Sequence, residues 1–224
     1  MLATFQPRTD ILPAAQLRLW PELSETPDAF TLHGDTAIGL RLGHRPSVDF
    51  DFFASASFAP DELMHEIPYL RGATVRQSAA NTLTATIERG GPVQVSFFGA
   101  LDLGQVAPAD AAVGPNIKVA SLIDLAAFKV AVVTQRVELK DYVDVHALLT
   151  KGGIPLPDML AAAEVIYGAQ FNPLLALKAL AYHDDPPLAG LSAGIRRDLI
   201  EAIHATDLQR LPALTAVRRH PEPT

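Results

Sequence analysis

Phe30-Thr31-Leu32-His33-Gly34-Asp35-Thr36-Ala37-Ile38-Gly39-Leu40-Arg41-Leu42-Gly43-His44-Arg45-Pro46-Ser47-Val48-Asp49-Phe50-Asp51-Phe52-Phe53 reads as a glycine-containing turn, a short helix, and a strand in which acids alternate with phenylalanines. Side chains on a strand alternate between its two faces, so Asp49 and Asp51 share one face while Phe50 and Phe52 enter the core from the other. Two carboxylates side by side repel each other, and that repulsion favours a divalent cation. Oxygen donors without cysteine or histidine suit magnesium or manganese better than zinc. The competing reading of the pair alone is a solvated strand face, in a chain with 25 acidic residues.

Working outward, Ala59-Pro60-Asp61-Glu62-Leu63 predicts a helix start, with proline and acids in its first turn and Leu63, Ile67 and Leu70 at helical spacing. Thr82–Glu88 and Val93–Phe98 flank Arg89-Gly90-Gly91-Pro92, a hairpin pattern. Towards the N-terminus, Pro7, Pro13, Pro21 and Pro27 limit helices to a turn or two, one of them through Ala14–Trp20; Trp20 reads as a packing residue.

Composition narrows the function classes. Hydrophobic residues make up 49% of the 224, enough for a real core, and no apolar run is long enough for a membrane span or a secretory signal. The expected location is the cytoplasm, with no membrane partner. Zero cysteines exclude disulfides, thiolate metal sites and a cysteine nucleophile. A net charge of −7 without a lysine–arginine cluster argues against a broad nucleic-acid surface and leaves room for a local patch.

Residues 99–116, rich in Gly, Ala, Pro and Asp, read as a linker, dividing the chain into an α/β domain over 1–115 and a helical C-terminal domain over 116–224. Ser121-Leu122-Ile123-Asp124 resembles a helix cap, and apolar positions continue at helical intervals to Val133. On an unbroken helix Lys129, Arg136 and Lys140 would fall within about 40° of one another, three cations on one face. The ordinary alternative pairs Lys140 with Asp144, four residues on, at a solvated surface. Further helices are expected from Pro155, over Pro173–His183 and over Ser192–Ile203; His183-Asp184-Asp185 reads as a helix-terminating loop, and Arg196-Arg197 as surface ion pairing.

The order Leu-x-Gly-x-Thr-Ala from Leu32, Leu-Arg-Leu-Gly-His-Arg from Leu40 and Ser-x-Asp-x-Asp-Phe-Phe from Ser47 resembles the signature of the AbiEii/AbiGii-type nucleotidyltransferases, toxins of type IV toxin–antitoxin systems. Lys-x6-Arg-x3-Lys-Asp-x2-Asp, here Lys129, Arg136, Lys140, Asp141 and Asp144, is similar to a second pattern of that family, and together the likeness spans roughly residues 28–150. The resemblance implies an α/β (α+β) nucleotidyltransferase-type mixed sheet with flanking helices, followed by an all-helical part. It implies transfer of a nucleoside monophosphate from a nucleoside triphosphate to RNA, such as tRNA, or to protein, by the toxin partner of an antitoxin. Asp49 and Asp51 would hold Mg2+ or Mn2+, Lys129 would act with them in catalysis, and Gly34, Asp35, Thr36, Arg45, Ser47, Lys129 and Arg136 would bind the nucleotide. Ser96, Lys140, Asp141 and Asp144 would be auxiliary.

Two departures from the family pattern bear on activity. Where a third carboxylate is expected, on the strand beside the Asp-x-Asp strand, this chain offers Gln94 and Ser96, with Asp102 a few residues further on. The turn has Gly34-Asp35-Thr36 where the family has two glycines before the threonine. Asp35 then either repels phosphate, replaces the missing metal ligand, or caps the helix that follows. The alternative function is accordingly a catalytically degenerate nucleotidyltransferase-fold protein that binds without reacting.

Overall fold

A computed structural model describes residues 2–217. The chain forms two compact units, Met1–Asp102 with Ala109–Ala120, and Leu103–Pro108 with Ser121–Thr224. Eight strands make one mixed sheet in the first: β1 (Thr4–Phe5), β2 (Thr31–His33), β3 (Asp49–Phe53), β4 (Thr74–Ala79), β5 (Thr82–Glu88), β6 (Pro92–Phe98), β7 (Asp110–Ala112) and β8 (Lys118–Val119). Their order across the sheet is β1-β7-β8-β2-β3-β6-β5-β4. The short helices α1 (Ala14–Leu19), α2 (Gly34–Leu42) and α3 (Pro60–Glu66) connect them.

The alternation expected of β3 holds. Phe50 and Phe52 are fully buried with Phe97, Val95, Leu83 and Leu32, whereas Asp49, Asp51 and Phe53 are half-buried on the opposite face. Stacked rings reinforce the core: Trp20 lies 6.3 Å from Phe50, and Phe52 lies 5.3 Å from Phe97. β3 runs antiparallel to β2 and parallel to β6, so it is a central strand with a hydrogen-bonding partner on each side. The expected hairpin is present as β5 and β6, paired from Thr82–Phe98 to Glu88–Pro92 across Gly90 and Gly91, both at positive φ. The stretch expected as a linker, 99–116, instead carries β7, which pairs with β1 and β8.

The second unit is helical: α4 (Leu122–Val132), α5 (Leu139–Thr150), α6 (Leu156–Tyr167), α7 (Pro173–Ala181) and α8 (Ala193–His204). Three of the five N-terminal boundaries have a side-chain cap. Ser121, Asn172 and Ser192 cap α4, α7 and α8 with side-chain oxygens on backbone N–H groups. Segment 103–108 runs with these helices because Gly104 N donates to Ile166 O and the Asp124 carboxylate accepts from Val106 N at 2.8 Å. The unbroken helix through Lys129, Arg136 and Lys140 does not form. Val132, Val133 and Thr134 are β-branched, the Thr134 hydroxyl donates to the Ala131 carbonyl, and residues 136–138 carry no regular structure between α4 and α5. No helix among the described residues is long and apolar enough to cross a membrane.

Candidate functional site

In the first unit the site is built by three consecutive pieces: the end of β2, the first turn of α2, and β3. Gly34 has φ +74°, a conformation that L side chains resist, and a Cβ placed on it would lie 2.9 Å from Asp51 Oδ2. The turn is therefore pressed against the Asp51 carboxylate, and glycine supplies both the backbone angle and the clearance. Thr36, 1% exposed, donates its hydroxyl to the Asp49 carbonyl, which ties α2 to the start of β3. Gly43 at φ +59° closes α2, and the chain returns through Arg45 and the buried Ser47 to Asp49.

Asp49 and Asp51 share the half-buried face of β3, as the alternation predicts. In register beside Asp51 stand His33 on β2 and Ser96 on β6, and beside Asp49 stands Gln94. Ser96 is 3% exposed and its hydroxyl accepts from Thr84 Oγ1 at 3.4 Å, so the strand next to Asp51 presents neutral hydroxyls there. Asp102 is exposed, beyond β6. Two carboxylates with a hydroxyl beside them supply oxygen donors that suit a hard divalent cation, and no thiol is present.

Asp35 does not cap α2. The helix begins at Gly34, with His33 in the cap position, and Asp35 lies inside the first turn. Its carboxylate pairs with Arg45, Nη2 to Oδ2 2.8 Å, and the two side chains are 18% and 19% exposed. Arg45 is also held by its own loop, since Nη1 donates to Pro46 O at 3.1 Å. Beyond Asp51, His33 stacks on Phe53 at 4.7 Å and Phe53 meets Phe98 edge-on. No periodicity announces either arrangement.

In the second unit Lys129, 4% exposed on α4, places its ammonium 2.6 Å from Asp141 and 2.8 Å from Asp144, two fully buried carboxylates one turn apart on α5. Arg136, on the connection between the helices, grips Asp141 through Nε at 2.9 Å and Nη2 at 3.1 Å. A lysine among apolar neighbours is thus supplied with matching charge, without which its burial would be very costly. The alternative that put Asp144 at a solvated surface with Lys140 does not hold: Asp144 is fully buried and faces Lys129, and Lys140 pairs with Glu138 at 3.3 Å. Arg196, expected in surface ion pairing, directs its guanidinium at the carbonyls of Leu191, Leu188 and His183.

A family model described as nucleotidyl transferase AbiEii toxin, type IV TA system, matches residues 18–216. Among solved structures, MenT4, nucleotidyltransferase toxin Rv2826c from Mycobacterium tuberculosis H37Rv, is 16% identical with a TM-score of 0.60, over 87% of this chain and 83% of that one. A candidate nucleotidyltransferase from H. pylori is 13% identical with a TM-score of 0.54, over 85% and 91%. At such identities the likeness is one of fold. No curated protein matches the chain in sequence.

Proposed function

From the premise that this chain belongs to the AbiEii nucleotidyltransferase toxin family of type IV toxin–antitoxin systems, we propose that it transfers a nucleoside monophosphate from a nucleoside triphosphate to an RNA or protein acceptor in the cytoplasm. The observation that carries the reading is the Gly34 turn set against Asp51 on a strand whose two carboxylates share a face. In such a transfer an acceptor oxygen attacks the α-phosphorus, the bond to the β-phosphate bridging oxygen breaks, and pyrophosphate leaves. Asp49 and Asp51 would hold Mg2+ or Mn2+, which would supply Lewis-acid stabilisation of the charge that develops on the phosphoryl oxygens. The backbone at Gly34 admits the phosphate tail, Thr36 fixes the helix to the strand, and Arg45 and Ser47 lie on the loop that leads into Asp49. Lys129 and Arg136 are assigned to phosphate charge, with Asp141 and Asp144 orienting them and Lys140 auxiliary. An antitoxin encoded beside the chain would complete the system.

Ser96, in register with Asp51, favours a second reading: a protein of the same fold that binds nucleotide without transferring it. One experiment addresses both. The purified protein is incubated with Mg2+, each α-labelled nucleoside triphosphate in turn, and either total tRNA or purified candidate protein acceptors. Label should move to one acceptor class, and Asp49→Asn or Asp51→Asn should abolish it; nucleotide binding with no transfer to any acceptor would favour the degenerate protein.

A further inference from the structure

The pairing of Asp35 with Arg45 gives the turn a property that the family pattern, with glycine in place of Asp35, does not contain. Both side chains are about four-fifths shielded and joined at 2.8 Å, next to the turn that touches Asp51. Arg45 is ten residues along the chain from Asp35, and its hydrogen bond to Pro46 O holds it to its own loop while it reaches back to the first turn of α2. A guanidinium presents the same planar fork of donors to a carboxylate and to a phosphoryl group. The carboxylate of Asp35 therefore satisfies on Arg45 the chemistry that a phosphate would satisfy.

We propose that Asp35 is a built-in phosphate mimic: it holds Arg45 in place while no nucleotide is bound, and the triphosphate binds by taking Arg45 over from it. The inference rests on the nucleotide-transfer reading above. Asp35 then acts as a competitor that lowers triphosphate affinity by occupying the residue the triphosphate uses.

The test is a double-mutant cycle read by calorimetry, with Mg2+ and each of the four nucleoside triphosphates, and with inorganic tripolyphosphate as a probe that lacks base and ribose. Asp35→Asn should tighten binding about tenfold, the scale of one charge-assisted hydrogen bond, and Arg45→Gln should weaken it by a similar factor. Combining them in high salt, where repulsion through space is screened, is decisive: with Arg45 absent, Asp35→Asn should lose most of its effect. A gain from Asp35→Asn that persists undiminished beside Arg45→Gln in high salt would mean that Asp35 acts independently of Arg45, and would overturn the proposal. Loss of metal-dependent binding in Asp35→Asn would overturn it in favour of a ligand role. Far-UV circular dichroism and thermal melts check folding, and Asp35→Ser serves as a second neutral variant. No binding of any triphosphate or of tripolyphosphate by any variant would instead bring down the nucleotide reading itself.

Discussion

Gly34 and Lys129 are the residues at which the proposed roles are most directly tested, one in each unit. At Gly34 an alanine would have to adopt φ +74° with its Cβ 2.9 Å from Asp51 Oδ2, so both backbone and carboxylate must shift. Gly34→Ala should destabilise the protein by about 1–2 kcal/mol, the cost of a left-handed residue, in urea melts. It should also reduce nucleotide transfer, because the displaced group is Asp51; full activity in Gly34→Ala would detach the turn from the reaction. Lys129 lies between two fully buried carboxylates. Lys129→Met removes the ammonium between them, and removal of one partner of a buried pair costs about 3–5 kcal/mol. Loss of activity in Lys129→Met is then interpretable only beside its melt. Adding Asp141→Asn and Asp144→Asn should recover much of the lost stability without restoring activity, and unchanged stability in Lys129→Met alone would show that the cluster is not a stabilising element.

At the scale of elements, Arg196 exemplifies a cation whose work is structural. It lies on α8 and donates to Leu191 O at 3.0 Å, Leu188 O at 2.9 Å and His183 O at 3.4 Å, which fastens the proline-rich connection between α7 and α8 onto the start of α8. Lysine keeps the charge but cannot span three carbonyls with a planar fork, so Arg196→Lys should cost about 1–3 kcal/mol through carbonyls left without donors. Limited proteolysis should then cut within 182–192 faster than in the parent, and equal cutting rates would refute the clamp. This element also marks where sequence reading stops. Strand β3, the β5–β6 hairpin and helices α6 to α8 were legible because period-two or helical patterning and breakers such as Gly90-Gly91 are local signals. Strands β1, β2, β7 and β8 are two or three residues long, and only their neighbours in the sheet make them strands. The break after α4 escaped notice because the apolar period runs on past Val132 while the β-branched residues that end the helix also satisfy that period. The co-facial Asp49 and Asp51 followed from alternation alone, whereas Asp35–Arg45 and Lys129–Asp141–Asp144 are tertiary pairings that no spacing rule specifies.

For the whole molecule, burial of phenols sets an alkaline limit on stability. Tyr69 is 2% exposed and shares a 2.7 Å hydrogen bond with the Thr26 hydroxyl; burial pushes its phenol well above the ordinary tyrosine range, and burial raises Tyr167 similarly. Because the folded state holds on to a proton that the unfolded chain releases near pH 10, the stabilisation is complete below that pH and is lost as pH rises towards the folded-state value. The slope for one such group is about 1.4 kcal/mol per pH unit. Stability from urea melts should therefore be insensitive to Tyr69 at pH 7–9 apart from a constant offset for the lost hydrogen bond. Above about pH 10 the parent should fall faster than Tyr69→Phe, with the gap between them narrowing as pH rises. Arginine and lysine titrations act on both proteins alike, so the difference between the two curves isolates the phenol. Parallel curves from pH 8 to 11 would mean that Tyr69 ionises as readily in the folded chain as in the unfolded one, and that its hydroxyl is not sealed against Thr26 in solution.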